Sequence, residues 1–245
     1  MPRVFVPHSQ VYDDEIVILD QEAHRIITAF GLKEGDRLFV CDMQKTDYTC
    51  RVSSTMEGIV RAKILSSEPS RAEFNARIRL FQAIPQDDSF ASIVGQAVEL
   101  GVSEIVPVIT ERSFAKSDLV KNKKKAVDRY REMAYDIAES CGRGIVPVIG
   151  NPISLDAALE TAHSDSLSLF CYEGAQEYPL KSVLRSQPDN MTSLSFFIGP
   201  DKGFSSAEVQ KAQDAGVKPV SLGSRILSCK TAVDYVLSCL SFTQE

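Results

Sequence analysis

The first 70 residues carry short apolar runs that alternate with polar positions, a pattern typical of β-strands with one face in solvent. The pattern predicts strands at residues 4–6, 16–19, 37–41, 48–53 and 59–65. One helix is predicted at residues 21–30, because Gly31 stands where helices commonly stop. We therefore expect residues 1–70 to form a small β-barrel, with residues 68–70 as the linker behind it.

From residue 72 onward the pattern changes to strands that alternate with amphipathic helices. Strands are predicted at residues 77–83, 104–109, 166–172, 194–198 and 218–222. Helices are predicted around residues 93–100, at 121–141, 154–163, 178–185 and 205–215, and at the C-terminus. Such alternation is typical of a mainly parallel sheet covered on both faces. The predicted fold class is α/β, with domains at residues 1–70 and 72–245.

Two of these helices begin at residues that favour a helix N-terminus. Ser205 is followed three positions later by Glu208, which is a capping-box pattern. One of Asp87, Asp88 or Ser89 is expected to cap the helix that contains residue 93. These residues place the starts of both helices directly after loops.

Two predicted strands end in a glycine-containing segment. Ile198 leads to Gly199, and Leu222 leads to Gly223. Parallel sheets bind their ligands at the carboxyl ends of strands, and glycine lets bare backbone approach a ligand. Neither segment matches a dinucleotide-binding fingerprint or a P-loop. From the residues alone, each glycine belongs either to a simple turn or to a ligand site.

Composition is that of an ordinary folded protein, with 44% hydrophobic and 24% charged residues. No apolar run approaches the roughly 20 residues that cross a bilayer, and the N-terminus lacks a signal-peptide core. We expect a cytoplasmic protein without a membrane partner. The six cysteines and three histidines show no metal-ligand spacing, so reduced thiols and no metal are expected.

Charge is unevenly distributed in a chain of net charge −6. Residues 109–131 hold eight basic and three acidic side chains, whereas residues 1–70 hold eight and eleven. The basic stretch is either a solvated helix face or a surface that meets phosphates.

Several ordered segments resemble the RsmE-type 16S rRNA uridine N3-methyltransferases, a family of the SPOUT superfamily. Two of them contain the strand-end glycines: residues 198–205 read IGPDKGFS, with Glu208 beyond, and residues 222–232 read LGSRILSCKTA. The others are residues 2–6 (PRVFV), 96–102 (QAVELGV), 109–113 (ITERS) and 139–143 (ESCGR). The resemblance therefore covers the whole chain.

The resemblance implies more than the pattern predicts. It implies that residues 1–70 form a PUA-like barrel that helps to hold RNA, and that residues 72–245 form a SPOUT domain with a C-terminal trefoil knot. The implied activity is transfer of a methyl group from S-adenosylmethionine to N3 of a uridine in 16S rRNA. The implied partners are 16S rRNA or the small ribosomal subunit and a second copy of the chain in a homodimer.

The resemblance also implies roles for individual residues. An arginine near a uracil oxygen stabilises the negative charge that forms as N3 loses its proton, and Arg143 and Arg225 are the candidates. Their alternatives are a helix-end cation for Arg143 and a loop ion pair for Arg225. Candidate phosphate contacts are Arg3, Arg112, Lys123 and Lys124. Backbone groups in the two glycine-containing segments are expected to hold the cofactor: Ile198, Gly199, Pro200, Gly203, Leu222, Gly223, Ile226 and Leu227.

The chain departs from the family pattern at four positions. Asp201 and Lys202 replace a Glu-Gly pair, Ser228 replaces an arginine, and Lys230 replaces a glutamate. One hypothesis is that Asp201 pairs with Lys230; another is a weakened cofactor site. The alternative functions are a non-catalytic RNA-binding relative and a methyltransferase with another RNA target.

Overall fold

A computed structural model describes residues 2–56, 58–86, 89–115, 117–186 and 191–244. The chain divides into two compact units. Unit 1 contains Met1–Glu73 and Ala138–Val146, and unit 2 contains Phe74–Ile137 and Pro147–Glu245. The segment 138–146 thus belongs to unit 1, whereas the sequence pattern placed it in the second domain.

Unit 1 is built on one mixed sheet of five strands in the order β1-β3-β4-β5-β2. Its elements are β1 (Arg3–Phe5), β2 (Glu15–Ile18), α1 (Asp20–Thr28), β3 (Arg37–Cys41), β4 (Thr46–Ser54) and β5 (Val60–Pro69). Strands β1 and β3 are parallel, and the other neighbours are antiparallel. Within the described ranges β1 does not pair with β2, so the predicted barrel is an open sheet in its hydrogen bonding.

Strand β5 is longer than predicted and includes most of the expected linker. Its last residues, Glu68 and Pro69, pair with Asp47 and Thr46 of β4. The sequence gives a misleading signal here because a proline at a strand end reads as a break, although it fits wherever its nitrogen needs no hydrogen-bond partner.

A buried ion pair joins the segment 138–146 to the rest of unit 1. Arg143 Nε and Nη2 donate to Glu73 Oε1 and Oε2 at 2.7 and 2.8 Å, and both side chains are 2% exposed. The carbonyl of Gly144 also accepts from Lys45 N at 3.0 Å. These long-range bonds explain why the boundaries differ from the predicted ones.

Unit 2 contains a seven-stranded sheet in which every pair is parallel, as the alternating pattern predicted. The order is β12-β10-β11-β6-β7-β8, with β9 also paired to β7. The strands are β6 (Arg77–Ala83), β7 (Glu104–Ile109), β8 (Val148–Ile149), β9 (Ile153–Ser154), β10 (Leu167–Cys171), β11 (Ser193–Ile198) and β12 (Lys218–Val220). Strands β8 and β9 were not predicted, since two residues carry no recognisable period.

The remaining helices are α2 (Phe90–Glu99), α3 (Asp118–Lys121), α4 (Lys123–Ser140), α5 (Leu155–Ala162), α6 (Leu180–Arg185), α7 (Ser206–Asp214) and α8 (Cys229–Gln244). The predicted helix 121–141 is divided, because Asn122 has φ −124° and ends α3 before α4 begins. The capping box of Ser205 and Glu208 is present at α7. Ser89 precedes α2 without a side-chain cap, and Asp87 and Asp88 lie outside the described residues. No helix in the described ranges is long and apolar enough to span a bilayer.

Aromatic side chains fill the core of unit 2 beneath the carboxyl ends of its central strands. Phe81 of β6 stacks on Phe197 of β11, with ring centroids 4.4 Å apart. Phe170 of β10 contacts both Phe197 and Phe204, at 5.6 and 4.1 Å between centroids. Phe204 lies beyond β11, so its ring attaches the following loop to the sheet.

Arg143→Ala is expected to lower the free energy of unfolding by about 3–5 kcal/mol, because it leaves the Glu73 carboxylate buried without its cation. Urea denaturation followed by circular dichroism measures the loss. Arg61→Ala is the matched control, because Arg61 and Glu15 form a partly exposed pair that contributes no more than about 1 kcal/mol. Equal losses in the two variants would contradict a structural role for the Arg143–Glu73 pair.

Candidate functional site

Three neighbouring strands of unit 2 end at one edge of its sheet. Strands β12, β10 and β11 are adjacent and parallel, so the loops that follow them converge. We call these the β10 loop (residues 172–176), the β11 loop (residues 199–205) and the β12 loop (residues 221–228). Together they surround a cavity of about 290 Å³. This volume lies near the lower end of about 300–1,000 Å³ that small-molecule sites occupy.

The cavity collects the predicted cofactor residues. All eight line it: Ile198, Gly199, Pro200, Gly203, Leu222, Gly223, Ile226 and Leu227. Arg225, a predicted catalytic residue, lines it too. The sequence reasoning missed other lining residues, among them Cys171, Tyr172, Glu173, Phe204 and Cys229. The available signal was that residues 171–173 end a predicted strand of the same parallel sheet.

The β11 loop turns sharply without strain at its unusual lysine. Gly203 has φ +64°, and its N–H donates to Pro200 O at 2.7 Å. Lys202 is not among the described residues with positive φ, so its side chain adds no left-handed strain. The replacement of the family's glycine by Lys202 is therefore compatible with this backbone.

The β12 loop offers backbone groups to the cavity. Gly223 has φ +110°, a conformation that a side chain would strain, and its N–H donates to Ser221 Oγ at 3.2 Å. Within the described residues, the N–H groups of Leu222, Ile226 and Leu227 have no protein acceptor. Backbone donors without an intramolecular acceptor, in residues that line a cavity, are available to a ligand.

Ser228 supplies the start of α8. Its Oγ accepts from Thr231 N at 3.3 Å, which satisfies one of the free N–H groups at the helix N-terminus. The serine that replaces the family's arginine thus has a structural function in this chain.

Asp201 is held by partners other than the one hypothesised. Its carboxylate accepts from Gln86 N at 2.8 Å and from Cys229 Sγ at 3.6 Å, and no ion pair joins it to Lys230. Burial, followed by the charge of Asp201, raises the pKa of Cys229 to about 11, so the thiol is a neutral donor at pH 7. The positive charge of Lys230 acts on Asp234 instead. Burial raises the pKa of the Asp234 carboxyl, and the charge of Lys230 partly offsets that rise. Among the ion pairs of the described residues, the hypothesised Asp201–Lys230 pair does not occur.

Arg112 holds the β11 loop through hydrogen bonds. Its Nη1 donates to Lys202 O at 2.6 Å and to Phe204 O at 3.3 Å. Next to it, Glu111 N donates to the buried Glu208 carboxylate at 2.9 Å, and this carboxylate also accepts from Ser205 N. The predicted phosphate contact is thus occupied in positioning the loop.

The other predicted residues are not among those that line this cavity. Arg143 belongs to unit 1, where its buried guanidinium donates to the Glu73 carboxylate, an ion pair that neither the catalytic nor the helix-end interpretation predicted. Arg3, also in unit 1, donates to Asp47 Oδ1 and to Arg143 O, both at 2.7 Å. Lys123 and Lys124 are exposed at the start of α4 and form none of the described ion pairs. Over the described ranges, no three His, Cys, Asp or Glu side chains cluster as a metal site would require.

Comparison with known families decides the identity of the fold. A family model described as an RNA methyltransferase domain matches residues 72–241. The chain belongs to this family. Two similar relatives are both named ribosomal RNA small subunit methyltransferase E. The Bacillus subtilis protein is 26% identical over 100% of this chain and 98% of its own length, and the Mesomycoplasma hyopneumoniae protein is 28% identical over 82% and 83%. The predicted resemblance is confirmed.

Solved structures show the same architecture. The crystal structure of ribosomal RNA small subunit methyltransferase E from Neisseria gonorrhoeae, bound to S-adenosylmethionine, has a TM-score of 0.83. It is 25% identical, and the match covers 99% of this chain and 98% of that one. A Legionella pneumophila structure in complex with the same cofactor has a TM-score of 0.78 at 25% identity and covers 98% and 97%. The α/β architecture is therefore that of the family.

Arg112→Ala is expected to speed amide exchange of Gly203 and Ser205 by roughly tenfold, because the variant loses charged hydrogen bonds that hold the β11 loop. Hydrogen–deuterium exchange with mass spectrometry measures the rates. Arg112→Lys should retain part of the protection, and Lys124→Ala, which changes an exposed cation in the same unit, should leave it intact. Unchanged exchange rates in Arg112→Ala would show that the hydrogen bonds of Arg112 do not stabilise the β11 loop.

Proposed function

We propose that this protein transfers a methyl group from S-adenosylmethionine to N3 of a uridine in 16S rRNA. The observation that carries the proposal is the cavity at the ends of three adjacent parallel strands, which is lined by every residue that the family pattern assigns to the cofactor. The names of the Bacillus and Neisseria relatives support rRNA as substrate, and the Neisseria structure supports the cofactor.

The residues present fit this cofactor. Bare backbone at Gly203 and Gly223 leaves room in the cavity, and the N–H groups of Leu222, Ile226 and Leu227 are available for the adenine and ribose. A pocket that recognises its ligand through the backbone tolerates changed side chains. For that reason the four departures from the family pattern are compatible with an active enzyme.

Arg225 is the candidate for charge stabilisation. When bound, S-adenosylmethionine supplies an electrophilic methyl group, and uridine N3 must lose its proton to become a good nucleophile. Arg225 lines the cavity and is exposed, so its guanidinium is accessible to a base that approaches the mouth. A cation beside uracil O2 or O4 stabilises the anion that forms at N3. We assign this function to Arg225 and a structural one to Arg143.

Finer parts of the proposal concern RNA and assembly. Lys123 and Lys124 are proposed to contact phosphates, and their exposure supports this. Unit 1 is proposed to act as a PUA-like RNA-holding module, and the C-terminal part of unit 2 to form a trefoil knot. A homodimer is supported by large exposed apolar side chains on α8, Tyr235 and Phe242, which are 40% and 83% exposed. The proposed place of action is the cytoplasm, where ribosomal subunits occur.

Loss of the protein is expected to remove one 3-methyluridine from 16S rRNA, because the proposed activity places a single methyl group on N3 of a uridine there. Nucleoside mass spectrometry and primer extension on rRNA from cells with and without the gene measure the change. The purified protein should restore the modification on small subunits from those cells when S-adenosylmethionine is added. An unchanged modification pattern would refute the proposed function.

Arg225→Ala is expected to lower kcat for RNA methylation by about 100-fold, the usual effect of removing one preorganised donor to a developing anion. Arg225→Lys should recover part of the rate, because it retains the positive charge. Arg185→Ala is the matched control, since Arg185 is an exposed arginine outside the cavity. Single-turnover assays with saturating cofactor separate the chemical step from binding, and a wild-type rate in Arg225→Ala would exclude the assigned role.

A further inference from the structure

The β10 loop places a carboxylate on the wall of the cavity. Tyr172 N donates to Val220 O at 3.0 Å, and Gln176 Nε2 donates to Glu173 O at 2.7 Å, so the backbone on both sides of Glu173 is held. A Cβ atom built on Gly203 would stand 3.4 Å from Glu173 Oε1. The Glu173 carboxylate therefore lies against the β11 loop at the cavity.

Glu173 is the acidic group of the cavity that remains available to a ligand. Asp201, the other lining carboxylate, already accepts from Gln86 N and Cys229 Sγ. For Glu173, the described residues provide no hydrogen-bond donor and no cation within ion-pair distance of its side chain. The other charged lining residues, Lys202 and Arg225, are both cationic.

The charge of the cofactor changes during the reaction at one atom. S-adenosylmethionine carries a positive sulfonium, and S-adenosylhomocysteine, the product left after methyl transfer, carries a neutral thioether there. The amino-acid and adenosine parts of the two molecules are identical. A carboxylate near the sulfur attracts the first molecule more than the second.

We propose that Glu173 recognises the sulfonium charge and so makes the pocket prefer S-adenosylmethionine to S-adenosylhomocysteine. The inference rests on the proposed function and adds a specificity-determining residue to it. Its functional consequence is release of the spent cofactor, because the attraction is lost when the methyl group leaves. Because Glu173 is exposed, water and salt screen the attraction, and we expect a preference of roughly 3- to 10-fold that shrinks as ionic strength rises.

Isothermal titration calorimetry on the full chain tests the inference with three ligands. They are S-adenosylmethionine, S-adenosylhomocysteine and sinefungin, which carries an ammonium group in place of the methylated sulfur. Glu173→Gln keeps the size of the side chain and removes its charge. Glu177→Gln is the matched control. It removes an exposed carboxylate directly after the β10 loop, and Glu177 is not among the residues that line the cavity.

Glu173→Gln should weaken S-adenosylmethionine and sinefungin by roughly 3- to 10-fold and leave S-adenosylhomocysteine unchanged. The ratio of the two affinities is the readout, and a general loss of pocket structure would not move it in this direction. An equal loss for all three ligands would place the carboxylate at the ribose or the amino group and overturn the inference. So would unchanged binding of all three. If the wild-type protein binds none of them, the proposed function fails first.

Discussion

Parallel pairing of β10, β11 and β12 is the constraint on which the candidate site depends. Because the strands run in the same direction and are neighbours, their carboxyl ends deliver three loops to one place. The aromatic contacts of Phe170 with Phe197 and Phe204 hold two of these strand ends in register with the loop above them. Without this pairing, residues 50 positions apart in the sequence, such as Glu173 and Gly223, would not share a cavity.

The two glycine-containing loops were predictable because their residues carry local signals. Glycine after an apolar strand, a capping box at Ser205 and a strand–helix alternation are readable within a few positions. The β10 loop gave a weaker signal, since its glycine, Gly174, does not follow the strand directly but stands after Tyr172 and Glu173. Its place in the cavity follows from the strand order, in which β10 lies between β12 and β11. Strand order depends on contacts between residues that are distant in sequence, and the hydrophobic periodicity of a single segment does not reveal such contacts.

Arginines show most clearly what a sequence pattern leaves undecided. Arg143 and Arg112 both lie in segments that match the family, and both were predicted to act on RNA. In the structure Arg143 is buried with Glu73 in unit 1, and Arg112 donates to two carbonyl groups of the β11 loop. A guanidinium that binds phosphate also binds carboxylates and carbonyls, so residue type alone does not separate these functions. The two functions are distinguished only by where the carboxylate, carbonyl or phosphate that accepts from the arginine lies.

The unpaired N–H groups of the β12 loop have a consequence for inhibitor design. A compound that accepts hydrogen bonds only from the N–H groups of Leu222, Ile226 and Leu227 binds to the main chain, and a side-chain substitution does not remove these donors. Resistance to such a compound would require a change in the path of the main chain, and that change would also disturb binding of the natural ligand. A compound that reaches out to side chains such as Lys202 would gain selectivity for this chain over relatives, at the risk of escape through a single substitution.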